Sequence, residues 1–155
     1  MANVDTLEQF EAAAQYEREG VARAVQLLKK YAPWFEHQGD ALERSVTSAL
    51  STTVTAVKAS AGNVYAIVII SPAAAAADAY VQIFNVASGS VTLGTTAPDL
   101  VLKCPAAETA VFLHVPGDDD NNLFDTAISI AATTTHDGLT ALATASLPTV
   151  WVLYA

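Results

Sequence analysis

Residues 79–105, AYVQIFNVASGSVTLGTTAPDLVLKCP, carry the clearest alternation in the chain. Tyr80, Gln82 and Phe84 interleave with Val81, Ile83 and Asn85. A period of two in a segment rich in aromatic and β-branched residues predicts a strand. Ser88-Gly89-Ser90 predicts a turn, Val91-Thr92-Leu93 a second short strand that Gly94 stops, and the Thr/Pro-marked break after it a third strand reaching Cys104. Upstream, 53–60 and 63–71 predict two strands joined by a hairpin-like turn at Ala61-Gly62-Asn63. The run Val64–Ile70 is apolar at every position, as in a central strand with both faces covered. Ser71-Pro72, five alanines and Asp78 form a small-residue loop. Segments 108–115, 126–134 and 149–154 bring the number of strands to about eight. Turn signals at this spacing favour an antiparallel sandwich or barrel over a parallel α/β sheet.

The first 50 residues follow a different period and predict a helical leader ahead of a β-sandwich at 51–155. Asp5 with Glu8 and Thr6 with Gln9 make two overlapping capping boxes. From there Leu7, Phe10, Ala14, Glu17, Val21, Ala24, Leu28 and Tyr31 alternate in steps of three and four. This heptad spacing, with one polar intruder at Glu17, predicts a long helix over about 6–32 that Pro33 ends. Its apolar residues Leu7, Phe10, Ala14, Val21, Leu28 and Tyr31 are the candidate interaction stripe. The stripe suits an amphipathic helix lying on the β domain or on a partner, and equally a short self-associating coiled coil. Pro33-Trp34-Phe35 places two aromatics in the connector, and Leu42, Val46 and Leu50 at helical spacing predict a short helix over about 40–50.

Composition adds a charge asymmetry. Hydrophobic residues are 52% of the chain and charged residues 15%, and the net charge is −9. Beyond residue 50 only Lys58 and Lys103 face eight acids. An acidic, cation-poor chain argues against nucleic acid as a partner, because a phosphate backbone needs a basic face. No apolar stretch approaches the roughly 20 residues of a membrane-spanning helix, and no membrane partner is expected. Met1 is followed by a polar, acidic segment rather than a secretory signal. Cys104 is the single cysteine, so no disulfide framework is expected, and its place at a strand end predicts a buried core thiol.

Candidate chemistry is sparse, and no enzyme activity and no cofactor are expected. Asp118, Asp119, Asp120, Asn121 and Asn122 form the one dense run of hard oxygen ligands, a possible calcium loop or a solvated acidic turn. The run lacks the interleaved spacing and terminal Glu of an EF-hand. His37, His114 and His136 fall in three separate elements, which makes a zinc site from His114 and His136 a remote reading. No G-x-S-x-G, phosphate loop or dinucleotide fingerprint occurs. Tyr65, Tyr80, Trp151 and Tyr154 are the candidates for a glycan-stacking surface, although the terminal strand TVWVLY reads more readily as core.

The order of KASAGNVYAI, AYVQIFN, VTLGTTAP and LFDTAISIAATTTHDG resembles a family of small phage virion structural proteins with jelly-roll-like domains. The resemblance spans 57–155. It implies a mainly β, jelly-roll-like antiparallel sandwich and a non-enzymatic capsid-decorating (cement) role on the virion surface, assembled in the host cytoplasm. The implied partners are the major capsid protein and further copies of the chain, with a trimer favoured. A head-fibre or tail-associated module, with host-glycan binding, is the alternative it implies.

Overall fold

The computed structural model describes residues 42–113 and 124–155. The expected long helix over 6–32, with its stripe Leu7, Phe10, Ala14, Val21, Leu28 and Tyr31, lies outside these residues. So does the acidic run Asp118, Asp119, Asp120, Asn121 and Asn122. Among the described residues eight strands form: β1 (Glu43–Thr47), β2 (Thr55–Lys58), β3 (Val64–Ile70), β4 (Ala79–Phe84), β5 (Leu100–Cys104), β6 (Thr109–Leu113), β7 (Ile128–Thr133) and β8 (Thr149–Tyr154). They make two antiparallel four-stranded sheets, a first of order β1-β8-β3-β6 and a second of order β2-β7-β4-β5.

The pairing follows one rule. β4 pairs with β5, β3 with β6, β2 with β7 and β1 with β8. The chain is therefore a single long hairpin with its tip at 85–99, folded over so that successive rungs fall in opposite sheets. Two further ladders, β3 with β8 and β4 with β7, close each sheet across its centre. The alternating stretch at 79–105 is thus the apex of the whole roll.

Side chains alternate across each strand, so every second residue meets the opposing sheet. Ile67, Ile69, Val150 and Val152 from the first sheet pack against Val81, Ile83, Ile128 and Ile130 from the second. Leu50, Phe124 and Leu142 close the ends of this core. Full burial of such side chains contributes about 1.5–3 kcal/mol each.

The outward faces of the central strands are buried as well. On the second sheet Gln82, Phe84, Ser129, Ala131 and Thr133 point away from the core yet are buried. Loops 85–99 and 134–148 lie over them. Ser129 Oγ donates to Val86 O at 2.7 Å, and Gln82 Nε2 reaches His136 O at 3.2 Å. On the first sheet Ala66, Val68, Ile70, Trp151 and Leu153 are likewise buried outside the core.

Three sequence expectations change. The short helix over 40–50 is replaced by β1 and its turn. Leu42, Val46 and Leu50, spaced by four, satisfy helical and strand periods alike, and the open edge of β8 decides for the strand. Leu42 and Leu50 are buried while Val46 is 46% exposed. At least Glu43–Thr47 therefore belongs to the sandwich rather than to the leader. The turn at Ala61-Gly62-Asn63 does not close a hairpin, because β2 and β3 lie in different sheets. Gly62 instead bridges Phe124, and Asn63 exchanges two backbone hydrogen bonds with Ala155. A Cβ at Gly62 would come within 2.7 Å of Ala155 O, which fixes glycine at this crossing. Finally, Val91-Thr92-Leu93 is no strand; it lies in the loop at the tip of the roll, after a 3₁₀ turn at Ser88–Ser90.

Cys104 is fully buried in the core, as its position predicts. Burial pushes its thiol above the ordinary value of 9.0, with the Glu108 and Asp78 charges adding to the shift. A raised folded value means the unfolded thiol ionises first. The contribution is complete below the ordinary thiol range and is lost as pH rises through the folded value. Native protein is expected to resist Ellman's reagent until unfolded by denaturant; rapid native labelling would contradict this burial.

Candidate interaction surface

The loops gather at the two ends of the sandwich, and the two ends differ in chemistry. At one end, where strands β4 and β6 finish and β3 and β7 begin, Asn85 fastens the tip of the roll to the entry of β7. Its backbone N–H donates to Asp99 Oδ2 at 2.7 Å, and its side-chain amide donates to Asp125 Oδ1 at 2.6 Å. Asn85 Oδ1 in turn accepts from Thr126 N at 2.8 Å. The Asn85 amide, with the Thr126 hydroxyl, holds the Asp125 carboxyl below the usual carboxylate range. These bonds satisfy the local backbone and carboxylates as a loop clasp does.

The opposite end is assembled from loops 71–78, 105–108 and 134–148. Asp78 organises it. Its carboxylate meets Lys103 Nζ at 2.7 Å and accepts from Ala106 N at 3.0 Å. Ser71 Oγ, buried, accepts from Ala107 N at 3.2 Å. Ser146 Oγ, also buried, accepts from Ala76 N at 3.2 Å and so ties the alanine loop to the loop before β8. The Lys103 ammonium lies 5.8 Å from the Tyr80 ring centroid, over a half-buried tyrosine.

This end shows solvent many small side chains, with Lys103, Glu108 and Asp137 as its exposed charges. Ala73, Ala74, Ala76 and Ala77 are exposed on one loop; Leu139, Ala141, Ala143 and Ala145 are exposed on the other. Leu139 is 62% exposed, the most exposed large apolar residue among those described. It leans on Gly94, whose left-handed φ of +75° brings the tip loop against it. A Cβ at Gly94 would meet the Leu139 side chain at 2.8 Å. Gly94→Ala is therefore expected to cost about 1–2 kcal/mol from backbone handedness alone, read by chemical denaturation.

Lys103, through its hydrogen bond and its charge, lowers the Asp78 carboxyl, and Ala106 N adds to this. The sign follows: Asp78 contributes above the ordinary 3.8 and its contribution is lost as pH falls through the lower folded value. An NMR titration of the Asp78 carboxyl is expected to show a midpoint below 3.8 in the folded protein and an upward move in Lys103→Ala. Both groups are substantially solvated, so the effect should weaken with salt.

Of the candidate aromatics, Tyr65, Trp151 and Tyr154 are buried, leaving Tyr80 as the partly accessible one. Three of the four thus form no stacking platform. His37 and His114 lie outside the described residues, while His136 sits in an exposed turn and offers its backbone carbonyl to Gln82. Among the described residues no three His, Cys, Asp or Glu side chains come together as a metal site. The arrangement can bury small apolar surface against another protein.

Sequence reasoning missed Asn85 and Gln82 as the polar pins of the two long loops. Gln82 had a signal, an amide alternating with aromatics in an otherwise apolar strand. Asn85 had none, since Asp125 lies 40 residues away. No family model, curated protein or solved structure matches this chain.

Proposed function

We propose that the chain is a non-enzymatic virion structural protein that decorates and stabilises a phage capsid through protein–protein contacts. The pairing of the first strand with the eighth, the second with the seventh and so on supports a jelly-roll reading, an architecture used by capsid and lectin domains among others. Fold alone does not define function, so the weight falls on a surface. The observation that carries the reading is the alanine-rich end with the exposed Leu139, whose loops are held by Asp78, Ser71 and Ser146. A rigid rim of short side chains loses little conformational entropy on docking. Many such weak contacts, repeated over a symmetric shell, stabilise it by mass action and avidity.

In this reading the partner is the major capsid protein, the place is the outer surface of the particle, and copies of the chain associate, as trimers, where they meet the shell. Neither a cofactor nor a nucleic acid takes part. Quantitative mass spectrometry of purified particles tests the assignment. A copy number comparable to the major shell protein is the expected result. A few to a few tens of copies would instead indicate a head-fibre or tail part, and absence from the particle would remove the virion assignment. Leu139→Glu is expected to weaken binding to isolated capsid shells about tenfold or more, because a docked carboxylate would be desolvated without a partner. Unchanged binding by this variant would move the contact away from the alanine–leucine end.

A further inference from the structure

We propose that the outer face of the first sheet is an internal docking surface, and that its occupant is the segment 1–41 of the same chain. Ala66, Val68, Ile70, Trp151 and Leu153 point away from the core on the two central strands, β3 and β8, and all are buried; Val68 has no exposure at all. A sheet face open to water would leave these groups accessible. Two polar atoms near the sheet's edges agree with a cover: Arg44 Nη1 on β1 and Thr109 Oγ1 on β6 are shielded from solvent and have no hydrogen-bond partner among the described residues.

The described loops are engaged elsewhere. Loops 85–99 and 134–148 lie on the second sheet, 71–78 and 105–108 are bonded to one another at one end, 48–54 is bonded to Pro148 and Ala132, and 59–63 to Phe124 and Ala155. Two stretches of chain remain. Residues 114–123, HVPGDDDNNL, carry three aspartates and two asparagines and offer little to an apolar face. Residues 1–41 carry the stripe Leu7, Phe10, Val21, Leu28 and Tyr31, with Trp34 and Phe35 behind it. They also enter the fold at the right place, since the buried Leu42 leads directly into β1, the edge strand of this sheet. On this proposal the stripe covers its own sandwich rather than serving as a free arm or coiled coil.

Val46 lies on this face beside Trp151 and is partly exposed, which makes it a site for a probe that leaves the core intact. A photoreactive benzoylphenylalanine at position 46 of the full chain is expected to cross-link within one molecule to residues 1–41, located by peptide mass spectrometry. Cross-links between molecules would assign the face to a second copy; cross-links confined to residues 42–155, or none, would leave the segment elsewhere. Either result overturns the proposal. A second measurement uses the full chain with Trp34→Phe, in which Trp151 is the sole tryptophan. Adding Leu28→Asp is expected to raise acrylamide quenching of Trp151 several-fold, independently of protein concentration, while the far-ultraviolet β signal is retained. Quenching unchanged by Leu28→Asp would also overturn it.

Discussion

Phe124→Ala is expected to lower the unfolding free energy by about 3–5 kcal/mol, measured by urea denaturation of the full chain. Phe124 has no solvent exposure and plugs the core at the end where the chain returns into β7. Its backbone carbonyl accepts from Gly62 N at 2.9 Å, so the ring stands behind the crossing between the two sheets. Gly62 and Ala155 touch there backbone to backbone, which leaves the walls little room to collapse into the space a phenyl would vacate. The cost therefore lies toward the upper part of that range. Leu139→Ala, on the exposed rim, should change stability by only about 0.5 kcal/mol or less, which separates cavity formation from a general loss of apolar area. A loss below 1 kcal/mol for Phe124→Ala would show that this end repacks freely.

Gln82→Leu is expected to cost about 1–3 kcal/mol even though it adds apolar volume to a buried site, because it removes the donor that three acceptors share, the buried Thr133 Oγ1 among them. The amide donates to Thr133 Oγ1, His136 O and Gly138 O at 3.3, 3.2 and 3.4 Å, two hydrogens serving three acceptors. Thr133 Oγ1 passes the chain of bonds on to Thr135 O at 2.7 Å. Removing the amide takes the shared donor from two part-buried loop carbonyls over the outer side of β4 and β7. Amide hydrogen exchange across 134–140 should accelerate more than exchange in β3 and β8, since only this loop hangs on Gln82. Uniform acceleration throughout the sandwich would mean that Gln82 supports the sheet rather than its cover.

The strands were legible wherever period and burial agreed. Val64–Ile70, Ala79–Phe84, Leu100–Cys104 and Thr149–Tyr154 announce themselves by β-branched and aromatic runs between turn residues. Two opposite errors at the margins left the total of eight unchanged: Glu43–Thr47 read as helix, and Val91–Leu93 read as strand. The first is a spacing of four that fits either period. The second is a three-residue apolar run whose chain neighbour β4 is already paired on that side with β5. Sheet membership was not legible at Ala61-Gly62-Asn63, because a hairpin and a crossing between sheets use the same turn residues. The alanine–leucine end was half visible. The alanine loop stood out by composition, but its union with residues 139–146 depends on Ser146, whose sequence neighbours carry no hint of Ala76.

The nested pairing has a kinetic consequence. Ala79 meets Cys104 across a short stretch of chain, whereas Glu43 meets Tyr154 only after almost the whole described sequence has been brought together. Closing each outer rung is costly until the one inside it has formed, because the intervening loop is then already shortened. The roll is thus wired to zip outward from its tip, with β1 the last strand to join. A protein assembled this way folds on the slow side for its size, and its late-closing edge is the place where an unfinished molecule stays open longest.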